Sequence, residues 1–484
     1  MLFNSIEFIF FLPLVYTLYW FVTNKNLKNQ NLLIVIASYI FYGWWDWRFL
    51  SLIIFSTVSD YSVGYLLSKT DTKTKRKFLL WVSLLTNLGI LGFFKYYNFF
   101  LDSLYELMPI FKTTLGFNTI EIILPVGISF YTFQTLSYTI DVYKQKMKPT
   151  KDFIAFAAFV SFFPQLVAGP IERASHLLPQ ILKKRTFNYE QSIQGVRLIL
   201  WGLIKKIVIA DSLALSVNEI FLNFSLYSPL VLIIGAVFFS FQIYCDFSGY
   251  SDIARGLSKL LGIELMVNFD FPYFSRSIGE FWRKWHISLS TWFRDYIYIP
   301  IGGSRDTTSK SIRNIFIIFL VSGFWHGANW TFIVWGGIHA LLFIPSFITK
   351  TNRKHTDELP KTKYIVPSFR DFILILRTFL IVAVTWIFFR ASSVEHAFDF
   401  IKHMIDWNLD MNFLVYNPYD NQPLFKEYIY LLGFIIIEYL IVSKVINLFS
   451  KNVRKGIIID SFMIIIIILN SPVSSNLSFI YFQF

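Results

Sequence analysis

Charge is scarce in this chain. Only 15% of its 484 residues are Asp, Glu, Lys or Arg, against roughly 25% in soluble globular proteins, so water is not its main solvent. Cysteine is all but missing. Cys245 stands alone, which excludes an intrachain disulfide and any zinc site assembled from cysteines. The alternating apolar-polar segments of a membrane β-barrel are missing as well. No stretch is polar enough for a separate soluble domain; the longest polar runs, about 350–370 and 392–426, read as loops. There is no internal repeat, and no inverted symmetry of the kind found in transporters.

What is abundant is apolar and aromatic: 55% of residues are hydrophobic and 20% are Phe, Trp or Tyr. Runs of about 20 apolar residues recur, each able to cross a hydrocarbon core of roughly 30 Å as a helix. The expected spans lie near 6–23, 31–46, 49–68, 78–100, 121–143, 193–221, 229–249, 313–330, 331–349, 371–391, 427–448 and 456–470. The fold class is therefore an all-α polytopic membrane protein with about 11–12 transmembrane helices. The first run, MLFNSIEFIFFLPLVYTLYWF, has no basic leader and no small-residue cleavage site, so it reads as a retained span.

The formal net charge of +13 does not point to nucleic acid. The cations sit in short loops between apolar runs, at Lys25 and Lys28, at Lys69 to Lys77, at Lys144 to Lys151, at Lys350 to Lys363, and at Lys451 to Lys455. That is the positive-inside pattern, which places those loops in the cytoplasm and both termini outside. Two segments resist this scheme. Phe153–Pro170 is apolar, yet a full crossing would carry Lys183, Lys184 and Arg185 outward, so it reads as re-entrant. Residues 250–312 are apolar and aromatic yet rich in Arg, Lys, Gly and Pro, and within them Phe281–Pro300 mixes Trp and Tyr with Arg283, Lys284 and Arg294, the chemistry of helices dipping in at headgroup level from the cytoplasmic face.

Two histidines stand where an ionisable side chain is costly. His286 lies in FWRKWHISLS, and His326 in the apolar run IFIIFLVSGFWHGANW. An intramembrane ionisable group is a functional-site hypothesis by default. A neutral imidazole is also the side chain best suited to moving protons near neutral pH. The structural alternative is a buried histidine bonded to a neighbour. For His326 the two readings balance, and for His286 an interfacial packing role carries slightly more weight. His339 suits packing or hydrogen bonding, and His176, His355, His396 and His403 receive no role. No HExxH or similar spacing occurs, so no metal site is expected. The intramembrane acids Asp141, Asp211, Asp246, Asp252 and Glu438 read mostly as internal ion pairs, or as caps closing a helix broken at CDFSGYSDIARG. Gly302–Gly303 reads as a turn. The chain ends SFIYFQF, where Tyr481 is either part of an aromatic interfacial anchor or a hydroxyl inserted into the protein as nucleophile or carrier.

Four longer runs tie these residues together. SFYTFQTLSYTIDVY (Ser129–Tyr143), FFPQLVAGPIER (Phe162–Arg173), the stretch Tyr244–Arg305 and GFWHGANWTFIVWGGIHA (Gly323–Ala340) resemble the membrane-bound O-acyltransferases (MBOAT), in their bacterial branch of alginate and peptidoglycan O-acetyltransferases. The likeness runs over essentially the whole chain, so 1–484 is expected to form a single integral-membrane domain around a central tunnel. It implies an enzyme that takes an acetyl group from a cytoplasmic thioester, acetyl-CoA or a carrier-protein thioester, and passes it across the membrane. An extracytoplasmic SGNH-type partner would then place it on a polysaccharide. The resemblance puts the family's catalytic histidine at His326 and its supporting histidine at His286. It matches SFIYFQF to tails whose tyrosine accepts the acyl group, here Tyr481. Arg283, Lys284 and Arg294 are the cations expected to meet the donor's phosphates. The rival reading, a transporter or channel with a His/Asp relay, lacks the paired broken helices such proteins carry.

Overall fold

In a computed structural model the described residues are 1–108, 119–305, 307–352, 354, 367–406, 425–448, 453–470 and 479–480. Among them the regular structure is helical: α1 Ile6–Thr17, α2 Leu27–Asp46, α3 Leu50–Ser68, α4 Lys73–Leu91, α5 Tyr97–Leu107, α6 Ile128–Tyr143, α7 Phe153–Ser161, α8 Phe163–Leu166, α9 Ala174–Ile181 and α10 Tyr189–Leu203. There follow α11 Asp211–Leu222, α12 Pro229–Leu260, α13 Ile278–Lys284, α14 Ile287–Phe293, α15 Thr308–His326, α16 Trp330–Ile348, α17 Phe369–Arg390, α18 Val394–Met404, α19 Phe425–Val442 and α20 Val453–Asn470. By length and composition, five helical stretches among the described residues suffice to cross a membrane: Leu27–Ser68, Lys73–Leu107, Pro229–Leu260, Trp330–Ile348 and Phe369–Arg390. The chain is a multi-pass membrane protein.

Two compact units emerge, one of residues 1–199 with 253–266, the other of 200–252 with 267–484. In the first, α3, α4 and α6 converge on Asp60. Its carboxylate is fully buried and accepts bonds from Ser83 Oγ, from Asn87 Nδ2 at 2.7 Å and from Thr139 Oγ1 at 2.8 Å. Three neutral donors from two neighbouring helices satisfy this buried carboxyl group and tie the three helices together. The re-entrant candidate Phe153–Pro170 is interrupted at Phe162 and buried from Ala155 onward. The span expected from residue 121 begins at Ile128 instead. Pro125 has no N–H to give, and Gly127, at φ 75°, turns the chain into the helix.

The second unit is organised by the hairpin of α15 and α16. Hydrophobicity drives helix association weakly in lipid, so close packing through small residues matters more. A Cβ on Gly323 would strike the Phe332 carbonyl oxygen, and one on Gly336 would strike that of Phe319. The two glycines thus let the backbones approach from both sides. Gly337, one residue on, would place a Cβ no nearer than 3.8 Å to Leu320 Cδ2. Gly323→Ala should therefore destabilise the protein by about 1–3 kcal/mol, while Gly337→Ala leaves it unchanged. Thermal unfolding in detergent measures both, and equal midpoints would show that close approach is not what selects glycine here.

One sequence expectation is corrected. The helix through CDFSGYSDIARG is not broken; α12 runs without interruption to Leu260. Gly249 serves packing, since a Cβ there would sit 2.7 Å from the Gly202 carbonyl oxygen. The acids need no break because cations meet them. The π-helical stretch Ile204–Ala210 brings Lys205 Nζ to 3.0 Å from Asp252, and Lys206 Nζ to 2.7 Å from Asp246 and 2.8 Å from Asp211. Glu438 completes the group, accepting the Tyr244 hydroxyl at 2.7 Å with Lys205 at 3.9 Å. The ion-pair half of the expectation therefore holds for Asp211, Asp246, Asp252 and Glu438.

Candidate active site

His286 sits at the turn joining α13 to α14. Ser277 caps α13 by accepting the Glu280 N–H. Glu280 in turn accepts from the Arg276 backbone at 2.8 Å and from Lys284 Nζ at 3.2 Å. These bonds fix where α13 starts and how its last turn lies. At its end the chain reverses through His286, whose φ of 42° and ψ of 55° lie in the left-handed region, uncommon for a residue with a Cβ. The side chain is 1% exposed. The rings of Phe247 at 4.7 Å, Trp325 at 5.8 Å and Phe269 at 6.2 Å surround it.

His326 is the last residue of α15, and Gly327 ends the helix in an extended conformation. Asn329 restarts the chain by capping α16. His326 is 3% exposed, with Trp325 at 5.0 Å, Trp335 at 5.2 Å and Phe389 at 5.2 Å between ring centroids. The tight α15–α16 hairpin holds this box, and Trp386 of α17 stacks on Trp335 at 5.5 Å. The His286 and His326 rings lie 6.4 Å apart, centroid to centroid. Two imidazoles in one water-poor aromatic enclosure can accept, hold and return a proton beside a reacting group.

A cavity of about 550 Å³ lies between α13, α14, α15 and α16, lined by Trp282, Arg283, Arg294, Tyr298, Phe319 and Ser322 among others, with neither histidine in its wall. Its wall is mostly apolar, with two guanidinium groups. Ser322 stands one helical turn before His326, so the cavity reaches the face of α15 that carries the histidine.

The profile of the MBOAT, membrane-bound O-acyltransferase family, matches residues 39–388, which include both histidines and the cavity. The chain belongs to this family. It is 41% identical over 421 residues to "Probable alginate O-acetylase AlgI" of Azotobacter vinelandii, covering 85% of this chain and 80% of that protein. It is 36% identical over 438 residues to the "Peptidoglycan O-acetyltransferase" of Helicobacter pylori, covering 84% and 80%. The "Teichoic acid D-alanyltransferase" of Streptococcus thermophilus is 31% identical over 240 residues, covering 45% and 55%.

In this O-acyltransferase the residues singled out from sequence do not all meet. His286 and His326 share the enclosure, and Arg283 and Arg294 share the cavity. Lys284 is not in the cavity wall; it pairs with Glu280. Arg283 also donates to the carbonyl oxygens of Asn352 and Lys354, and Arg294 to Asp295 at 2.7 Å. His339 has the bonding role expected of it. Trp282 Nε1 donates to its Nδ1 at 3.2 Å, so Nε2 carries the hydrogen and meets Thr385 Oγ1 at 3.0 Å. Tyr481 lies outside the described residues. The two residues before it are described and buried. Ile480 N–H donates to Asp246 at 2.6 Å, and the Phe479 ring lies 5.0 Å from Tyr250 and 6.1 Å from Phe247, the ring that faces His286.

Sequence reasoning missed three parts of this acyltransferase: Asn268 beside His286, the lysines that meet the α12 acids, and the Asp60 cluster. For the lysines a signal existed, since Lys205 and Lys206 stand adjacent inside the apolar run WGLIKKIVIA. For Asn268 there was none, because a single amide in VNFDFPY has many possible uses.

Proposed function

We propose that this acyltransferase resides in the bacterial inner membrane and moves an acetyl group from a cytoplasmic thioester, with acetyl-CoA as the donor, towards O-acetylation of an extracytoplasmic polysaccharide. The observation that carries the reading is the pair of buried histidines 6.4 Å apart, one of them on α15, the helix that also walls an apolar cavity with two guanidinium groups. The names of the curated relatives, acting on alginate and peptidoglycan, support the acceptor class.

His326 removes the proton from an attacking hydroxyl. The hydroxyl oxygen bonds to the thioester carbonyl carbon, and a tetrahedral oxyanion forms. Its collapse breaks the carbon–sulfur bond. The leaving thiolate takes the proton held by His326, so one hydroxyl and one acetyl thioester become one acetyl ester and one thiol. His286 orients the reacting groups. Tyr481 is the hydroxyl that first receives the acetyl group, and an SGNH-type partner outside the membrane passes it to the glycan. Arg283 and Arg294 meet the donor's phosphates, while Lys284, spent on Glu280, serves the fold.

Purified protein in lipid nanodiscs should release CoA thiol from acetyl-CoA. Removing both guanidinium groups, Arg283→Ala with Arg294→Ala, should raise KM for acetyl-CoA about tenfold or more, since each charge-assisted bond contributes about 1.5–3 kcal/mol. Lys284→Ala should leave KM unchanged. A wild-type protein active with a carrier-protein thioester and inert with acetyl-CoA would replace the donor. A KM untouched by the double substitution would remove the cavity from the donor's path.

A further inference from the structure

Asn268 is fully buried and grips the His286 turn at three consecutive residues. Its backbone oxygen accepts the Ile287 N–H at 2.9 Å. Its side-chain oxygen lies 3.0 Å from His286 Nδ1, accepts the Ser288 N–H at 3.3 Å and accepts the Ser288 hydroxyl at 2.9 Å. The backbone N–H of Ser288 can only donate, so the amide atom facing it must be the oxygen. An acceptor at that position requires His286 Nδ1 to carry the hydrogen. In a neutral imidazole the other nitrogen, Nε2, then bears the lone pair.

That Nε2 is buried and has no hydrogen-bond partner among the described residues. An unpaired buried acceptor is costly, and the left-handed backbone at His286 (φ 42°) adds strain. Both are tolerated at a place bounded by Phe247, Trp325 and His326. Strain and an open acceptor held together in one enclosure mark a group prepared for a ligand.

We infer that Asn268 is a positioning residue of the transfer reaction: it holds His286 as the Nδ1–H tautomer and presents a proton-free Nε2 to an O–H or N–H of the bound substrate. The inference rests on the proposed reading of the two histidines as the reaction centre. The residue itself touches no substrate. It acts through His286, first by the tautomer and then by the two bonds that hold the turn at Ile287 and Ser288.

The test is a double-substitution cycle on the full-length protein in nanodiscs, with acetyl-CoA as donor. Asn268→Ala should lower kcat about tenfold or more, with KM within about twofold. Asn268→Asp, whose carboxylate oxygen accepts the same bonds, should keep most of the rate. In a His286→Ala background, Asn268→Ala should cost nothing further. If the alanine variant does not fold, Asn268→Gln, which displaces the oxygen by one methylene, takes its place in the cycle. A full rate in Asn268→Ala, or an equal loss with and without His286, overturns the inference. Those outcomes with an active wild type and an inactive His326→Ala leave the reading of the site intact. A wild type that transfers nothing overturns both.

Discussion

His326→Ala should sharply slow acetyl transfer and leave the protein folded. The expected loss is about 10²- to 10⁴-fold, the range associated with a positioned general base. The size follows from the environment. His326 is buried at the end of α15 among Trp325, Trp335 and Phe389. No bulk water substitutes for it there, and the ring is held in place before substrate arrives. The fold should survive because close contacts that set the α15–α16 hairpin lie elsewhere, at Gly323 and Gly336. Release of CoA thiol, read together with the thermal midpoint, measures the two separately. Full transfer by a folded His326→Ala protein would remove His326 as the base. His326→Gln, which keeps most of the volume, guards against a loss caused by a void alone.

The second large effect belongs to the tail. Tyr481→Phe should stop transfer to the external acceptor by two orders of magnitude or more, the order expected when a covalent route loses its nucleophile. Intact-mass measurement after incubation with acetyl-CoA should show one acetyl adduct on the wild type and none on the variant. The argument runs through its neighbours. Asp246, paired with Lys206, accepts the Ile480 N–H, and Phe479 packs on Phe247 and Tyr250. The last described point of the chain before Tyr481 is thus tied to the side chains around His286. Phenylalanine keeps the ring and lacks only the oxygen, so a loss would be chemical in origin. An unchanged rate in Tyr481→Phe would reduce the tail to an anchor.

The two effects can be told apart. On the proposed mechanism His326→Ala removes the base for thioester cleavage, so release of CoA thiol should fall with transfer. Tyr481→Phe removes the first acceptor, so water can still take the acetyl group slowly and thiol release continues. A tail variant that also silences thiol release would mean that the tail is needed to form the site, beyond receiving its product.

The helical membrane class was legible in the sequence, because few charges and recurring apolar runs leave the backbone no other way to satisfy itself in lipid. His326 was legible as a candidate because a histidine in an apolar run is conspicuous wherever it packs, and the motifs around it pointed to the family before any coordinates. Where local pattern misled, long-range pairing was the cause. The glycine and acids of CDFSGYSDIARG suggested a broken helix, and only the arrival of Lys205 and Lys206 makes an unbroken α12 tenable.

By itself, then, the sequence determined the solvent, the class of fold and the family, and it singled out the histidine proposed as the base. All of these depend on composition or on contiguous runs. The tertiary structure decided what depends on side chains meeting from distant positions: the 6.4 Å between His286 and His326, the cavity that takes Arg283 and Arg294 and leaves Lys284 to Glu280, and the amide of Asn268 that orients His286. Hydropathy is satisfied equally by many arrangements of these residues, and only the packing of helices such as α15 against α16 selects one.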